Sequence, residues 1–238
     1  MEMDRRSFMA AAVAASKAEA KRDPLGVRGD FPIVEQAAYL NSAYIAPVPR
    51  AVTEAARQYI EGKSSRPMQV RDLMAANDAV RAQFARLVNA HPDEIGLLGS
   101  TGEGENVIAN GIGLRAGDNV VVDDLHYTTE FVLYRALEAS HGIELRIVPS
   151  RDGAVTAADF ERLIDKRTRI VSVAWVSHRN GFRHDMRPIA DIVHAHGALF
   201  YADAVQAAGM IELDVRAAGV DALCANSYKW LMSEFGVA

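Results

Sequence analysis

Short, continuous apolar runs alternate with amphipathic helical stretches along most of this chain, and that alternation limits the folds open to it more than any other feature. Apolar runs with little polar alternation are typical of strands that are covered on both faces, as in a parallel sheet between two layers of helices. The sequence therefore predicts an α/β fold of three layers, α/β/α, with a mostly parallel sheet. The predicted helices are 47–63, 70–90, 107–114, 130–140, 157–164 and 187–196, and the predicted strands are 119–122, 143–148, 169–176, 199–201 and 222–225.

Composition excludes several other classes of protein. The chain has 238 residues, of which 50% are hydrophobic, so it is long enough for one large domain or two small ones. The net charge of −5, without a basic cluster, argues against a nucleic-acid partner. No window of about 18 apolar residues is present, so we expect no membrane span. The single cysteine, Cys224, excludes an internal disulfide and a metal site built from cysteines, and no metal site is expected.

The N-terminus has the pattern of an export signal. Arg5 and Arg6 precede Phe8, alanines follow at 10–12, and Ala18-Glu19-Ala20 has the small residues of a cleavage site. This pattern resembles a twin-arginine signal, which would make the protein periplasmic or exported. The alternative is a frayed helix at the start of a cytoplasmic protein. The predicted domains are a signal at 1–20, an N-terminal segment with a helix at 21–65, and a large α/β domain at 66–238.

Polar side chains follow five apolar runs. The first of these runs, 95–98, is predicted to be a further strand. In parallel α/β sheets, ligands bind at the carboxyl ends of the strands, so these polar segments are expected to meet at one site. The segments are 99–106, 123–128, 177–181, 202–206 and 224–230.

The chemistry of these segments favours one cofactor over the alternatives. Gly102-Glu103-Gly104 begins like a dinucleotide fingerprint, but Val107 occupies the place of the third glycine and there is no Walker lysine. Glycines and free amides at a helix N-terminus suit a phosphate group. Together with an aromatic ring, an acid (Asp203) and a lysine (Lys229), they suit pyridoxal 5′-phosphate, whose aldehyde forms a Schiff base with lysine.

Four segments resemble class V aminotransferases, a fold-type-I group of pyridoxal-phosphate enzymes that includes cysteine desulfurases and epimerase-like proteins. Residues 225–231, Ala-Asn-Ser-Tyr-Lys-Trp-Leu, are similar to the family's lysine segment, and 201–206, Tyr-Ala-Asp-Ala-Val-Gln, are similar to its D-x-x-Q segment. Residues 177–186 resemble the S-G-x-R-x-D-L stretch of epimerase-like members, and 38–43 resemble an N-terminal family segment. The resemblance extends from about 31 to 238 and implies the large domain of such an enzyme, with the small C-terminal domain largely absent.

The resemblance also implies a role for each matching residue. Lys229 would hold the cofactor and act as the general base. Asp203 would contact the ring nitrogen, Gln206 and His178 would lie near the ring hydroxyl, and His126 would stack on the ring, with Tyr127 as the alternative. The residues expected at the phosphate end or in the lysine segment are Thr101, Gly102, Glu103, Asn226 and Tyr228.

The implied activity is that of a pyridoxal-phosphate-dependent transferase, either an aminotransferase or an epimerase-like enzyme, acting on an amino acid. One alternative is a carbon–sulfur lyase similar to cysteine desulfurases or selenocysteine lyases. Another is a truncated cofactor-binding fragment without turnover, because the chain ends at Ala238, soon after Lys229, whereas family members continue well beyond the lysine. Family members are usually homodimers, so the resemblance implies a homodimer here as well.

Overall fold

The structure, a computed structural model, describes residues 23–238, so the export-signal pattern lies outside the described residues. The described residues divide into two compact units, one that ends at Pro67 and one that comprises Met68–Ala238. The first unit contains two short 3₁₀ helices, Arg28–Asp30 and Pro32–Glu35, and helix α1, Arg50–Ser65. Helix α1 begins after Pro49, three residues later than predicted.

The second unit contains a five-stranded sheet in which every neighbouring pair of strands is parallel. The strands are β1 (Asn119–Asp123), β2 (Glu144–Val148), β3 (Thr168–Ala174), β4 (Leu199–Asp203) and β5 (Ala222–Cys224). Their order across the sheet is β2-β1-β3-β4-β5. The mostly parallel sheet predicted from the apolar runs is therefore confirmed.

Helices cover both faces of this sheet. The helices of the second unit are α2 (Val70–Val88), α3 (Thr101–Gly111), α4 (Thr128–His141), α5 (Ala157–Glu161), α6 (Met186–Ala195) and α7 (Val215–Ala218), with a 3₁₀ turn at Pro92–Glu94. Helices α3 and α4 contribute to one core cluster, whereas α2, α5, α6 and α7 contribute to the other. This arrangement is the predicted three-layer α/β/α fold.

The two core clusters show why the strands lack polar alternation. Val121 and Val171 pack in the cluster with α6, whereas Val120, Val122 and Ile170 pack in the cluster with α4. Adjacent strand residues point to opposite faces of a sheet. Because both faces are covered, both sets of side chains must be apolar.

One predicted strand is wrong. Residues 95–98 form no strand, although Leu98 and Ala238 exchange two backbone hydrogen bonds of 2.9 Å. Gly96 interrupts the run, and glycine weakens a strand because it adds backbone entropy and no packing side chain. The five strands of the sheet are the other five predicted ones, including β2 (predicted at 143–148), whose end is not among the predicted polar segments.

Helix α3 begins earlier than predicted, at Thr101 rather than at 107. The Ser100 hydroxyl accepts the Glu103 N–H at 3.1 Å and caps the helix. The polar residues 101–106 are therefore the first turns of the helix and not a loop before it. Among the helices of the described part of the chain, none has both the length and the apolar content to cross a membrane.

We predict that Gly104→Ala destabilises the second unit. An added Cβ at Gly104 would overlap Cys224 Sγ and lie 3.1 Å from Leu98 Cδ1, so α3 could not stay this close to β5. Overpacking of this kind costs about 1–3 kcal/mol, measured as the free energy of unfolding in a denaturant titration. Gly111→Ala, in the same helix with open space around its Cα, is the control, and equal losses in both variants would contradict the prediction.

Candidate functional site

A cavity opens at the carboxyl ends of the strands. The chain passes from β1 outward to β2 and then returns to the other side of β1 to form β3, so the strand order reverses between β1 and β3. Such reversals leave a crevice where ligands bind. The residues that line the cavity are Thr101, Tyr127, Ala174, Val176, His178, Asp203, Val205, Gln206, Asn226, Tyr228 and Lys229.

Lys229 lies in the loop after β5 and is 8% exposed. Its Nζ atom lies 5.9 Å from the ring centroids of both Tyr127 and Tyr228. Burial lowers the pKa of the Lys229 amine, and the negative charge of Asp203 opposes this shift. A buried lysine with a lowered pKa is a candidate nucleophile and base, because a larger fraction of its amine is neutral.

Asp203 is the last residue of β4, and it is 7% exposed. Its Oδ1 atom accepts the Val205 N–H at 2.8 Å, which orients the carboxylate. Burial raises the pKa of Asp203, while His126 and Lys229 lower it. A cationic partner stabilises the charged form of a carboxylate that is buried away from water.

His126 lies behind the cavity wall, and Tyr127 lies on it. His126 is 1% exposed; its Nδ1 accepts the Tyr127 N–H at 2.8 Å, and its Nε2 lies 2.8 Å from Ser172 Oγ. The ring of Tyr127 contacts that of His178 edge-on, with centroids 4.9 Å apart. The structure therefore brings the two candidate stacking residues to different positions, with only Tyr127 among the lining residues.

His178 and Gln206 also line the cavity. Burial, followed by the positive charges of Arg179 and Lys229, lowers the pKa of His178, which favours its neutral form. The Trp230 Nε1–H donates to Gln206 Oε1 at 2.8 Å. This bond ties the loop that carries the lysine to the loop after β4.

The predicted phosphate end coincides with the first turn of α3. Thr101 and Gly102 are the first two residues of the helix, so helix geometry leaves their N–H groups without partners in the preceding turn. Glu103 does not line the cavity. Its carboxylate accepts the Gly99 N–H at 2.8 Å and thus stabilises the start of the helix.

The lysine segment adds a buried polar atom to the cavity. Asn226 is 8% exposed, and within the described residues its Oδ1 has no hydrogen-bond partner. The ring of Tyr228 stacks on Phe235 with centroids 4.1 Å apart. The buried Lys229 amine and the N–H groups at the helix N-terminus are donors that fit a small ligand bearing a carbonyl and a phosphate group, and Asn226 Oδ1 offers such a ligand a free acceptor.

Sequence reasoning missed a buried polar network next to the cavity. Glu105 of α3 and Glu130 of α4 are 1% and 3% exposed, and they adjoin Tyr134 and Ser172. The sequence does contain a pattern that indicates burial of Glu130. This residue lies on the same helix face as Tyr134 and Leu137, at positions i+4 and i+7, and that face is apolar. An acid in such a register indicates a buried polar contact.

One group of possible metal ligands falls in the same region. Ligand atoms of His126, Glu130 and Asp203 lie within 4.8 Å of one another. Both ring nitrogens of His126 are already engaged in hydrogen bonds, so this group is not poised to coordinate an ion.

A second cavity of about 670 Å³ lies near α6 and α7. Its lining includes Trp175, Arg183, His184, Glu212 and Asp214, and none of the predicted site residues. The candidate site is therefore the cavity at the strand ends, because it unites the lysine, the acid and the helix N-terminus.

Comparison with known proteins agrees with this geometry. The family model "Aminotransferase class-V" matches residues 38–238. The chain belongs to the class-V aminotransferase family. A probable cysteine desulfurase from Methanothermobacter thermautotrophicus is 31% identical to it, over 88% of this chain and 54% of the relative. A cysteine desulfurase from Cronobacter sakazakii is 34% identical, over 85% of this chain and 54% of the relative. The chain thus spans about half the length of the curated relatives it matches.

Solved structures share the fold. The cysteine desulfurase CsdA from Escherichia coli matches with a TM-score of 0.82 at 24% identity, over 91% of this chain and 57% of that one. A C-DES variant with glycine covalently linked to its pyridoxal-phosphate cofactor matches with a TM-score of 0.81 at 20% identity, over 88% of this chain and 57% of that one. Membership of the family indicates pyridoxal phosphate as the cofactor, as the sequence motifs predicted.

We predict that the Lys229 amine titrates below the usual lysine value of 10.5, and that Asp203→Asn lowers its pKa further. The physical reason is that the variant keeps the burial and removes the negative charge that favours the ammonium form. The titration can be followed by ¹³C NMR of reductively methylated protein. Glu161→Gln, at an exposed position in α5, is the control, and a higher pKa in Asp203→Asn would contradict the prediction.

Proposed function

We propose that this chain carries the cofactor-binding domain of a pyridoxal-phosphate-dependent carbon–sulfur lyase that acts on cysteine or a similar amino acid. The observation that carries the proposal is the buried Lys229 amine facing Asp203 in a cavity at the strand ends. The kind of reaction rests on the two relatives described above, whose names are cysteine desulfurase or probable cysteine desulfurase. They favour the lyase over the aminotransferase or epimerase-like activity that the sequence motifs first suggested.

Bound pyridoxal phosphate would supply an electron sink for negative charge at the substrate α-carbon. Lys229 would provide the amine that attaches the cofactor. Once released, Nζ would take the proton from the substrate α-carbon, and the lowered pKa suits it to that role because a base must be deprotonated to act.

The other cavity residues would bind and orient. Asp203 would pair with the ring nitrogen, which its buried carboxylate stabilises in the protonated form. The first turn of α3, at Thr101 and Gly102, would bind the phosphate, assisted by Asn226 and Tyr228. Tyr127 and neutral His178 would bound the space beside the ring.

We predict that Lys229→Ala abolishes the visible absorbance band that appears when the chain is mixed with pyridoxal phosphate. The reason is that the band requires a covalent bond to the lysine amine. Lys166→Ala, a change outside the cavity, is the matched control and should keep the band. A full band in Lys229→Ala, or none in the wild-type chain, would overturn the cofactor assignment.

A second prediction concerns the reaction. The chain loaded with cofactor is expected to convert L-cysteine to alanine and to release sulfide when a thiol reductant is present, with Lys229→Ala inactive. Chromatography of amino acids and a colorimetric sulfide assay measure the two products. Transfer of the amino group to a 2-oxo acid without sulfur release would favour the aminotransferase alternative, and cofactor binding without either product would indicate a non-catalytic fragment.

A further inference from the structure

Two glutamates from different helices meet inside the protein beside the candidate site. Glu105 comes from α3 and Glu130 from α4, and both are almost completely buried. Glu130 is a side-chain neighbour of the Glu105 carboxyl group, and this contact and the charge of Glu130 both raise the pKa of Glu105. Two ionised carboxylates in contact and out of water would repel strongly, so the fold requires a proton or a counter-charge at this point.

The hydrogen bonds around Glu105 indicate where that proton lies. Its Oε1 atom accepts the hydroxyls of Tyr134 at 2.6 Å and Ser172 at 2.7 Å. Among the described residues, no N–H or O–H donor reaches Oε2, although that atom is buried. Oε2 needs a hydrogen bond, and the neighbouring Glu130 carboxyl group is able to accept one.

Glu130 acts as a hydrogen-bond acceptor in this network. Its Oε2 atom accepts the Thr129 hydroxyl at 2.6 Å. If Glu105 carries a proton on Oε2 and donates it to Glu130, every one of these oxygens has a partner. A single proton thus completes the network without any further group.

The same network fixes His126. The one proton of Ser172 goes to Glu105, so the Ser172 oxygen must accept the hydrogen on His126 Nε2. His126 Nδ1 accepts the backbone N–H of Tyr127. His126 is therefore held in one tautomer and one ring orientation, next to Asp203.

We propose that Glu105 holds a proton on Oε2, donates it to the Glu130 carboxylate, and through Ser172 positions His126 beside the cofactor site. Glu105 and Glu130 are thus positioning residues rather than catalytic ones. The part of the proposal that concerns the cofactor rests on the function proposed above, whereas the shared proton stands on the contacts of these side chains alone.

The surroundings of the pair support a retained proton. Burial and the charge of Glu130 raise the pKa of Glu105 well above its usual value, against the hydrogen bonds from Tyr134 and Ser172. The pair also adds negative charge near Asp203, whose pKa Glu130 helps to raise. The titratable groups of the neighbouring elements are Tyr134 of α4, Tyr201 and Asp203 of β4, Cys224 of β5, His126 and Lys229.

The first experiment uses the full chain without cofactor. Infrared spectroscopy at neutral pH should show the C=O stretch of a protonated carboxylic acid, well separated from the carboxylate bands, and Glu105→Gln should remove it. Glutamine matches the shape of the protonated side chain and can donate an N–H to Glu130, so the variant should fold. Absence of the band in the wild-type chain, or its persistence in Glu105→Gln, would overturn the proposal.

The pH dependence of stability provides a second readout. Above the usual carboxyl value of 4.5, the unfolded chain releases the Glu105 proton while the folded chain keeps it. The unfolded state then binds fewer protons, so the stability of the wild-type chain falls as the pH rises toward the raised pKa. Glu105→Gln should lack this fall, and the exposed change Glu161→Gln should keep it. Parallel curves for wild type and Glu105→Gln would contradict a retained proton.

The third experiment tests the link to the cofactor site. Glu105→Gln should bind pyridoxal phosphate at neutral pH within about twofold of wild type, because its Oε1 still accepts from Ser172. Glu105→Leu offers no acceptor and should weaken binding by about tenfold. ¹⁵N NMR should show the Nε2–H tautomer of His126 in wild type and Glu105→Gln, and mixed tautomers in Glu105→Leu. Equal affinity and one tautomer in all three proteins would remove the positioning role but leave the cofactor assignment intact.

Discussion

Because helices cover both faces of the sheet, a ligand can reach its strands only at their ends. Val120, Val121 and Val122 are fully buried although they point to opposite faces, so no side chain in the middle of β1 meets solvent. After these valines the chain becomes polar at Asp123, where β1 ends, and in the loop that follows. The same holds for β4, which ends at Asp203. The parallel arrangement brings these ends together at one edge, and the cavity is a consequence of that packing.

Burial at this edge shifts the pKa values of the two main ionisable groups, Asp203 and Lys229, in opposite directions. It raises the pKa of Asp203 and lowers that of Lys229, so each group is moved toward its neutral form and each is partly restored by the charge of the other. A ligand with a cationic ring nitrogen and a carbonyl group would satisfy both, because the nitrogen would take over the role of the lysine charge and leave the amine free to react. The close approach of α3 to β5 at Gly104 accompanies a helix N-terminus, at Thr101, that lines the same cavity.

Much of this could be predicted from the sequence, because the decisive information is local. The parallel sheet follows from the apolar runs, and Lys229, Asp203 and Thr101 follow from motifs next to strand ends or a helix start. The errors have a different origin. Residues 95–98 look like a strand, but the residue that pairs with Leu98 is Ala238, which is distant in the sequence. The separation of His126 from the cavity wall depends on Ser172, 46 residues further along, and no local pattern reveals such a contact.

The buried carboxyl pair shows the same limit and also suggests why acids occupy those positions. Apolar residues in place of both Glu105 and Glu130 would carry no desolvation penalty of their own. Two acids are therefore a costly way to fill the space, and packing gives no reason for them. They supply what an apolar pair cannot, which is an acceptor that orients Ser172, Tyr134 and, one bond further, His126. At functional sites, buried polar groups of this kind commonly lower the stability of the fold while they fix the arrangement of the neighbouring side chains. The pair lies directly behind the residues that face the cavity, where it can orient them.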